Sequence, residues 1–194
     1  MVKRLPGIVM HKVSIVYFSN TGVTKALVEA AALEFKSQDF EVFEYQIKGS
    51  SIVNGRFVDT DIFKQLHQSN AIIFASPTYM GGVAAQFKAF ADATSDFWSE
   101  QLWAGKLAAG ITCGSAPNGD QTVSLQYLTT LSSQHGMLWV GLDVAHDSDN
   151  NSINPLGSQL GVTALSVNSH VRESDLNTAK YLASRIFRLL DSKV

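Results

Sequence analysis

Small hydroxyl-bearing residues and glycines gather in three short runs of this chain: Ser19-Asn20-Thr21-Gly22-Val23-Thr24, Pro77-Thr78-Tyr79-Met80-Gly81-Gly82 and Cys113-Gly114-Ser115-Ala116-Pro117-Asn118-Gly119-Asp120. The chemistry open to the first run is anion binding. It follows the β-branched stretch Val13-Ser14-Ile15-Val16-Tyr17-Phe18 and precedes Val23, Ala26, Leu27 and Ala30, which fall at helical spacing. The first N–H groups of a helix lack partners, and the helix dipole favours a negative charge there. Ser19, Thr21 and Thr24 add hydroxyl donors, and Gly22 lets the backbone come close. Ser and Thr also serve as plain helix caps, but two further runs of the same kind favour a ligand.

The kind of anion is narrowed by what is missing. No Lys or Arg lies between Ser19 and Thr24, and Lys25 already belongs to the helix. A dianion would rest on backbone N–H groups, hydroxyls and the dipole, which is not the G-x-x-x-x-G-K-[ST] arrangement, and no G-x-G-x-x-G follows the first strand. A mononucleotide is therefore a better fit than a nucleoside triphosphate or a tightly held dinucleotide. In the second run, Tyr79 and Met80 beside Gly81 and Gly82 suit the edge of a planar ring. They would equally serve as loop residues packing on the next helix.

Other reactive residues are isolated. Cys113 has no evident base partner and reads as a small strand hydrophobe. His11, His67, His146 and His170 share no ligand spacing, so no metal is expected. His135 precedes Gly136, the pattern of a helix C-terminus with a glycine cap. Trp98 and Trp103 bracket Ser99-Glu100-Gln101-Leu102, either as a core lid or as an interface anchor.

The runs must be held by alternating strands and helices. Helices are expected at about 22–36, 60–68, 83–98, 121–134 and from Ser174, as N-cap, to Leu190. Strands are expected at 13–18, 40–45 (mixed apolar and acidic, so at an edge), 71–76 (ending at Pro77), 106–113 and 137–141, and 49–56 reads as loop. The polar stretch 143–160 is a long functional loop or insertion, and 1–11 an N-terminal extension. Five strands alternating with helices imply a doubly wound α/β fold, in which ligands sit beyond the strand C-termini where the winding reverses. One domain over 1–194 is the expectation at this length.

Composition agrees with a globule: 45% hydrophobic, 16% charged, net charge −2. That balance gives no electrostatic reason to expect nucleic acid or an anionic membrane, and no apolar run approaches the roughly 18 residues of a membrane span. A single cysteine fits a reducing, cytoplasmic setting.

The motifs S-N-T-G-V-T-K, S-P-T-Y-M-G-G-V-A-A-Q-F-K-A-F-A-D, L-W-A-G-K-L-A and H-G-M occur in order. With them, the chain resembles flavodoxin-like FMN proteins, and most of all the tryptophan-repressor-binding protein A family, regarded as NAD(P)H:quinone oxidoreductases. The resemblance runs from Val13 to about Leu190. It implies a five-stranded parallel sheet of order 2-1-3-4-5, bound FMN, and NAD(P)H as electron donor to a quinone-like acceptor. It implies that Ser19, Asn20, Thr21, Gly22, Val23 and Thr24 wrap the FMN phosphate. Pro77, Thr78, Tyr79, Met80, Gly81 and Gly82 would border the ring, with Tyr79 at the reacting face. Cys113, Gly114, Ser115, Ala116, Asn118, Gly119 and Asp120 would hold its other edge. His135 would lie near the face where hydride and quinone react, and Trp98 would reach into a neighbouring subunit of a homodimer or homotetramer. Two runs depart from the family: Tyr79-Met80-Gly81-Gly82 where it has Arg, an aromatic and Gly-Asn, and a third loop poorer in glycine. The rival expectations are a single-electron carrier of flavodoxin type, which tends to be strongly acidic, and a fold that binds without catalysis.

Overall fold

The computed structural model describes residues 11–146 and 152–192. The expected N-terminal extension, apart from His11, and the middle of the 143–160 loop lie outside the described residues. In chain order the elements are β1 (Lys12–Tyr17), α1 (Val23–Ser37), β2 (Glu41–Gln46), a 3-10 turn (Gly49–Ser51), β3 (Ile52–Val53), β4 (Arg56–Phe57) and α2 (Ile62–His67). Then come β5 (Ala71–Tyr79), β6 (Gly82–Val83), α3 (Ala85–Ala93), a second 3-10 turn (Thr94–Phe97), β7 (Leu107–Gly114), α4 (Gln121–Gln134), β8 (Leu138–Trp139), β9 (Val162–Leu165) and α5 (Glu173–Asp191).

The main sheet runs β2-β1-β5-β7-β8, parallel along that path, with β9 beside β7 as well. This is the expected order 2-1-3-4-5, with β2 at the edge. The winding leaves β1 toward β2 on one side and crosses to β5 on the other, so the reversal falls at the C-terminal end of β1. Alternate strand residues feed two cores. Val13, Ile15 and Ala109 pack with α1 and α5 through Leu27, Phe35, Leu182 and Ile186. Val16, Ile72 and Phe74 pack with α2, α3 and α4 through Phe63, Phe87, Phe90 and Leu128. Each of those buried Val, Ile, Leu and Phe side chains contributes roughly 1.5–3 kcal/mol of burial.

The fifth strand position departs from expectation. Only Leu138 and Trp139 pair with β7, at Leu107 and Ala108. The chain then leaves the sheet and returns as β9, which pairs Val162–Leu165 with Ile111–Gly114. The handover needs two glycines. A Cβ on Gly161 would lie 2.6 Å from the Gly110 carbonyl oxygen, and one on Gly110 would lie 2.8 Å from the Trp139 ring. The expected loop at 49–56 instead holds the 3-10 turn and the small β3–β4 hairpin. β5 does not stop at Pro77 but continues to Tyr79, because Thr78 and Tyr79 pair antiparallel with Val83 and Gly82. Val83 is consequently a strand residue, outside α3. The N-cap of α5 is Arg172, in place of the expected Ser174, which lies within the helix. Asp175 explains the shift: fully buried, it accepts the Leu165 N–H at 3.1 Å and pairs with Arg172 at 2.7 Å.

Candidate functional site

Beyond the C-terminal ends of β1, β5 and β7 the three runs come together. Strand register places Tyr17 beside Ala75, Ala75 beside Ile111 and Pro77 beside Cys113. Adjacent strands lie about 4.8 Å apart, so the first and third runs are roughly 10 Å apart across the sheet. Hydroxyls stitch them. Thr24 Oγ1 lies 3.3 Å from Cys113 Sγ, and Thr78 Oγ1 lies 2.8 Å from both Thr112 Oγ1 and Ser124 Oγ.

The first run is a helix entrance left open. Gly22 is the N-cap of α1 at φ +92°, a left-handed conformation that suits glycine, and as a glycine it brings no side-chain cap of its own. Ser19 Oγ accepts the Lys25 N–H at 3.2 Å, which draws the loop across the helix end. Asn20, Thr21 and Gly22 are exposed. Thr24, expected to offer its hydroxyl to the anion, is buried with that hydroxyl on Cys113, so only its backbone faces the entrance. Val23 is likewise buried and offers backbone alone. Burial pushes the Cys113 thiol up, with the Thr24 hydroxyl acting in the opposite sense. Cys113 is thus a neutral core thiol packed under the loops rather than a contact residue.

The second run is a tight hairpin tip. Met80 at φ +47° and Gly81 at φ +78° are its two central residues, between the paired Tyr79 and Gly82. Methionine rarely takes a positive φ, and here its side chain is fully exposed while Tyr79 is half-exposed. Between this tip and the third run lies a cavity of about 430 Å³, lined by Thr78, Met80, Gly81, Gly114, Ser115, Ala116 and Asp120. Asn118 (φ +53°) donates through Nδ2 to the Leu156 carbonyl at 3.0 Å, so the inserted segment braces the third run.

His135 and Trp98 do not join the three runs within one chain. α4 starts beside the third run and ends at Gln134, and 14 residues at 1.5 Å each put its ends about 20 Å apart. His135, just past that far end, is 2% exposed and packs on Trp103 and Phe97. Within its own chain His135 therefore stands apart from the three runs. Its tautomer follows from Thr94, whose hydroxyl proton is committed to the Ala91 carbonyl at 2.7 Å. His135 Nε2, 2.8 Å from Thr94 Oγ1, must then be the donor, leaving Nδ1 a bare lone pair with no partner among the described residues. Burial lowers the imidazolium to about 4, so the ring is neutral at physiological pH. Trp98 is 48% exposed, its indole N–H donating to the Gln134 carbonyl at 2.8 Å. Both residues line a second cavity of about 430 Å³ with Arg56, Ala91, Tyr127 and Leu131.

Two features of the first site were not read from the sequence. The loop after β9 reaches the same end, where the Ser166 N–H donates to the Gly114 carbonyl at 2.8 Å. Val162-Thr163-Ala164-Leu165 before it was the available signal, a short β-prone run. Gln121, the other feature, carries no signal in sequence. Among the described residues no group of three or more His, Cys, Asp or Glu is placed to hold a metal ion, and no helix is long and apolar enough to cross a membrane.

Comparison with known proteins adds four findings. The NADPH-dependent FMN reductase family matches residues 12–151. The chain is 36% identical over 188 residues to Flavodoxin FldP of Pseudomonas aeruginosa, covering 93% of this chain and 97% of that protein. It is also 28% identical over 191 residues to an NAD(P)H dehydrogenase (quinone) of Caulobacter vibrioides, covering 91% and 96%. Among solved structures, the flavodoxin, WrbA-like protein from Agrobacterium tumefaciens matches with a TM-score of 0.73 at 31% identity, over 94% of this chain and 98% of that one.

Proposed function

The chain belongs to the NADPH-dependent FMN reductase family and is an FMN-dependent oxidoreductase with a flavodoxin-like fold, and from that premise we propose that it reduces quinone-like acceptors by two electrons at the expense of NAD(P)H. The observation that carries the site assignment is the open entrance of α1 standing next to the cavity between the Tyr79–Gly82 tip and the third run. Ser19, Asn20, Thr21, Gly22 and the backbone of Val23 and Thr24 hold the phosphate, with no basic side chain among them. Thr78, Met80 and Gly81, with Tyr79 at the base of the tip, border one side of the ring and Gly114, Ser115, Ala116 and Asp120 the other. The residues fit the group: a helix end entered through a glycine N-cap suits a dianion, and an apolar tip suits a flat ring.

FMN, when bound, supplies acceptance of hydride from NAD(P)H and delivery of two electrons to the acceptor. The protein's part is positioning. The Thr78 hydroxyl, tied to Thr112 and Ser124, sets the height of the tip above the sheet. Tyr79 and Met80 keep water from one side of the ring. No acid–base triad is needed, which matches the absence of one in the sequence. The net charge of −2 lacks the acidity of a docking electron carrier, and this favours the enzyme over the carrier that a flavodoxin relative brings to mind.

The second cavity, with the exposed Trp98 on its rim, supports a homo-oligomer. Trp98 stands exposed against the far end of α4, about 20 Å from the cofactor seat of its own chain. A second copy would bring its flavin to the exposed Trp98. Initial rates with NADPH and benzoquinone test the reading: parallel double-reciprocal lines are expected, and intersecting lines would mean a compulsory ternary complex. Sedimentation at micromolar concentration is expected to show a dimer or tetramer, and a fully active monomer would refute the shared site.

A further inference from the structure

We propose that Gln121 is the positioning residue that shapes the third loop for the flavin ring, an inference that rests on the FMN reading above. Gln121 opens α4 and is 2% exposed. Its Nε2 donates to the Ala116 carbonyl at 2.8 Å, and its Oε1 accepts the Ala164 N–H at 3.2 Å. One side-chain amide thus ties the loop to β9, and its two ends cannot be exchanged: the carbonyl needs the NH2 group and the N–H needs the oxygen. The stem of the side chain lies against Gly114, where an added Cβ would sit 3.2 Å from Gln121 Cγ.

The consequence lies in which polar groups face the ring. Ser115 and Ala116 wall the cavity, and Pro117 after them carries no N–H. The bond to Gln121 turns the Ala116 carbonyl toward a buried partner and removes an acceptor oxygen from that wall. A ring that gains electrons is disfavoured by a carbonyl dipole pointing its negative end at it. Gln121 therefore favours both the binding of FMN and its reduction without touching it. Asn118 holds the far side of the loop to Leu156 and accepts from the Thr122 hydroxyl, but Gln121 alone engages the wall carbonyl.

The experiment compares wild type with Gln121→Glu and Gln121→Met. Glutamate keeps an acceptor for the Ala164 N–H and sets an oxygen against the Ala116 carbonyl; methionine keeps the length and removes both bonds. Three quantities are read: melting temperature of the FMN-free protein, FMN Kd from quenching of flavin fluorescence well below that temperature, and midpoint potential of the bound flavin. Both folded variants are expected to bind FMN about tenfold more weakly, because each loses the bond that holds the Ala116 carbonyl. The potential should fall in both, further in Gln121→Glu. Binding within about twofold of wild type at unchanged potential overturns the inference, whatever the melting temperature does. If wild type binds no FMN, the functional reading itself fails and this inference falls with it. Should Gln121→Glu not fold, Gln121→Met decides, together with the Gln121 side-chain amide resonance in wild type, which must shift when FMN is added; an unmoved resonance overturns the inference.

Discussion

Burial at the end of α4 lowers the His135 imidazolium from the ordinary 6.5 to about 4, and this makes stability depend on pH in a calculable way. Above pH 6.5 the ring is neutral folded and unfolded, so it contributes no pH dependence. Between 6.5 and 4 the unfolded chain takes up a proton that the folded chain refuses. Stability then falls by about 1.4 kcal/mol per pH unit, about 3 kcal/mol over the window, and levels off below it. Because the side chain is only 2% exposed, solvent screening does not much reduce that figure. His135→Phe keeps a ring against Trp103 and Phe97 and removes both the titration and the bond to Thr94. At about pH 7.5 the wild type should be the more stable by about 1 kcal/mol, the worth of that hydrogen bond. By about pH 4.5 the order should reverse, the wild type having lost about 2–3 kcal/mol that the variant keeps. Urea unfolding of both proteins, followed by tryptophan fluorescence at several pH values, measures the gap. Taking the difference cancels the contributions of groups common to both proteins, His67 among them. A gap that stays constant from pH 7.5 to 4.5 would refute the claim that His135 is buried neutral.

Three further outcomes are expected. Thr21→Glu places a carboxylate at the exposed entrance of α1 and should abolish FMN binding while leaving the melting temperature nearly unchanged; stoichiometric FMN in the purified variant would put the anchor elsewhere. Thr78→Val removes the hydroxyl shared with Thr112 and Ser124, so urea unfolding should show a loss of about 1–3 kcal/mol and fluorescence titration a weaker FMN complex. Gly161→Ala puts a methyl 2.6 Å from the Gly110 carbonyl oxygen and should separate β9 from β7, lowering stability by about 1–3 kcal/mol with a drop in melting temperature by calorimetry.

The parts of the fold legible in sequence are those whose signal is local. α4 spans the expected Gln121–Gln134 because Gly119-Asp120 before it and His135-Gly136 after it mark its ends, and β1, β5 and β7 announce themselves as runs dominated by apolar residues. β9 was missed because four residues after a polar segment mean little until β7 offers an unfilled edge. The β3–β4 hairpin is equally short, with Asn54-Gly55 as the turn signal inside a stretch taken for loop. At the site, small-residue runs at strand ends gave the cofactor loops. Direction was not legible: nothing in Ser19–Thr24 says that Thr24 turns inward to Cys113. Nor does the H-G pair at 135–136 reveal that the histidine ends up at the opposite end of α4 from the loops. Gln121 stayed hidden because its partners, Ala116 and Ala164, lie 5 and 43 residues away and are backbone groups.

The central claim is that this chain holds FMN at the β1–α1 entrance and passes electrons to it from a nicotinamide. The most direct measurement is to load the protein with FMN, remove oxygen, add NADPH and separately NADH, and record the visible spectrum. Rapid bleaching of the bound flavin by at least one of the two is predicted. Flavin that binds and stays oxidised with both would contradict the enzyme and leave a carrier, and a protein that never takes up FMN would contradict the site itself.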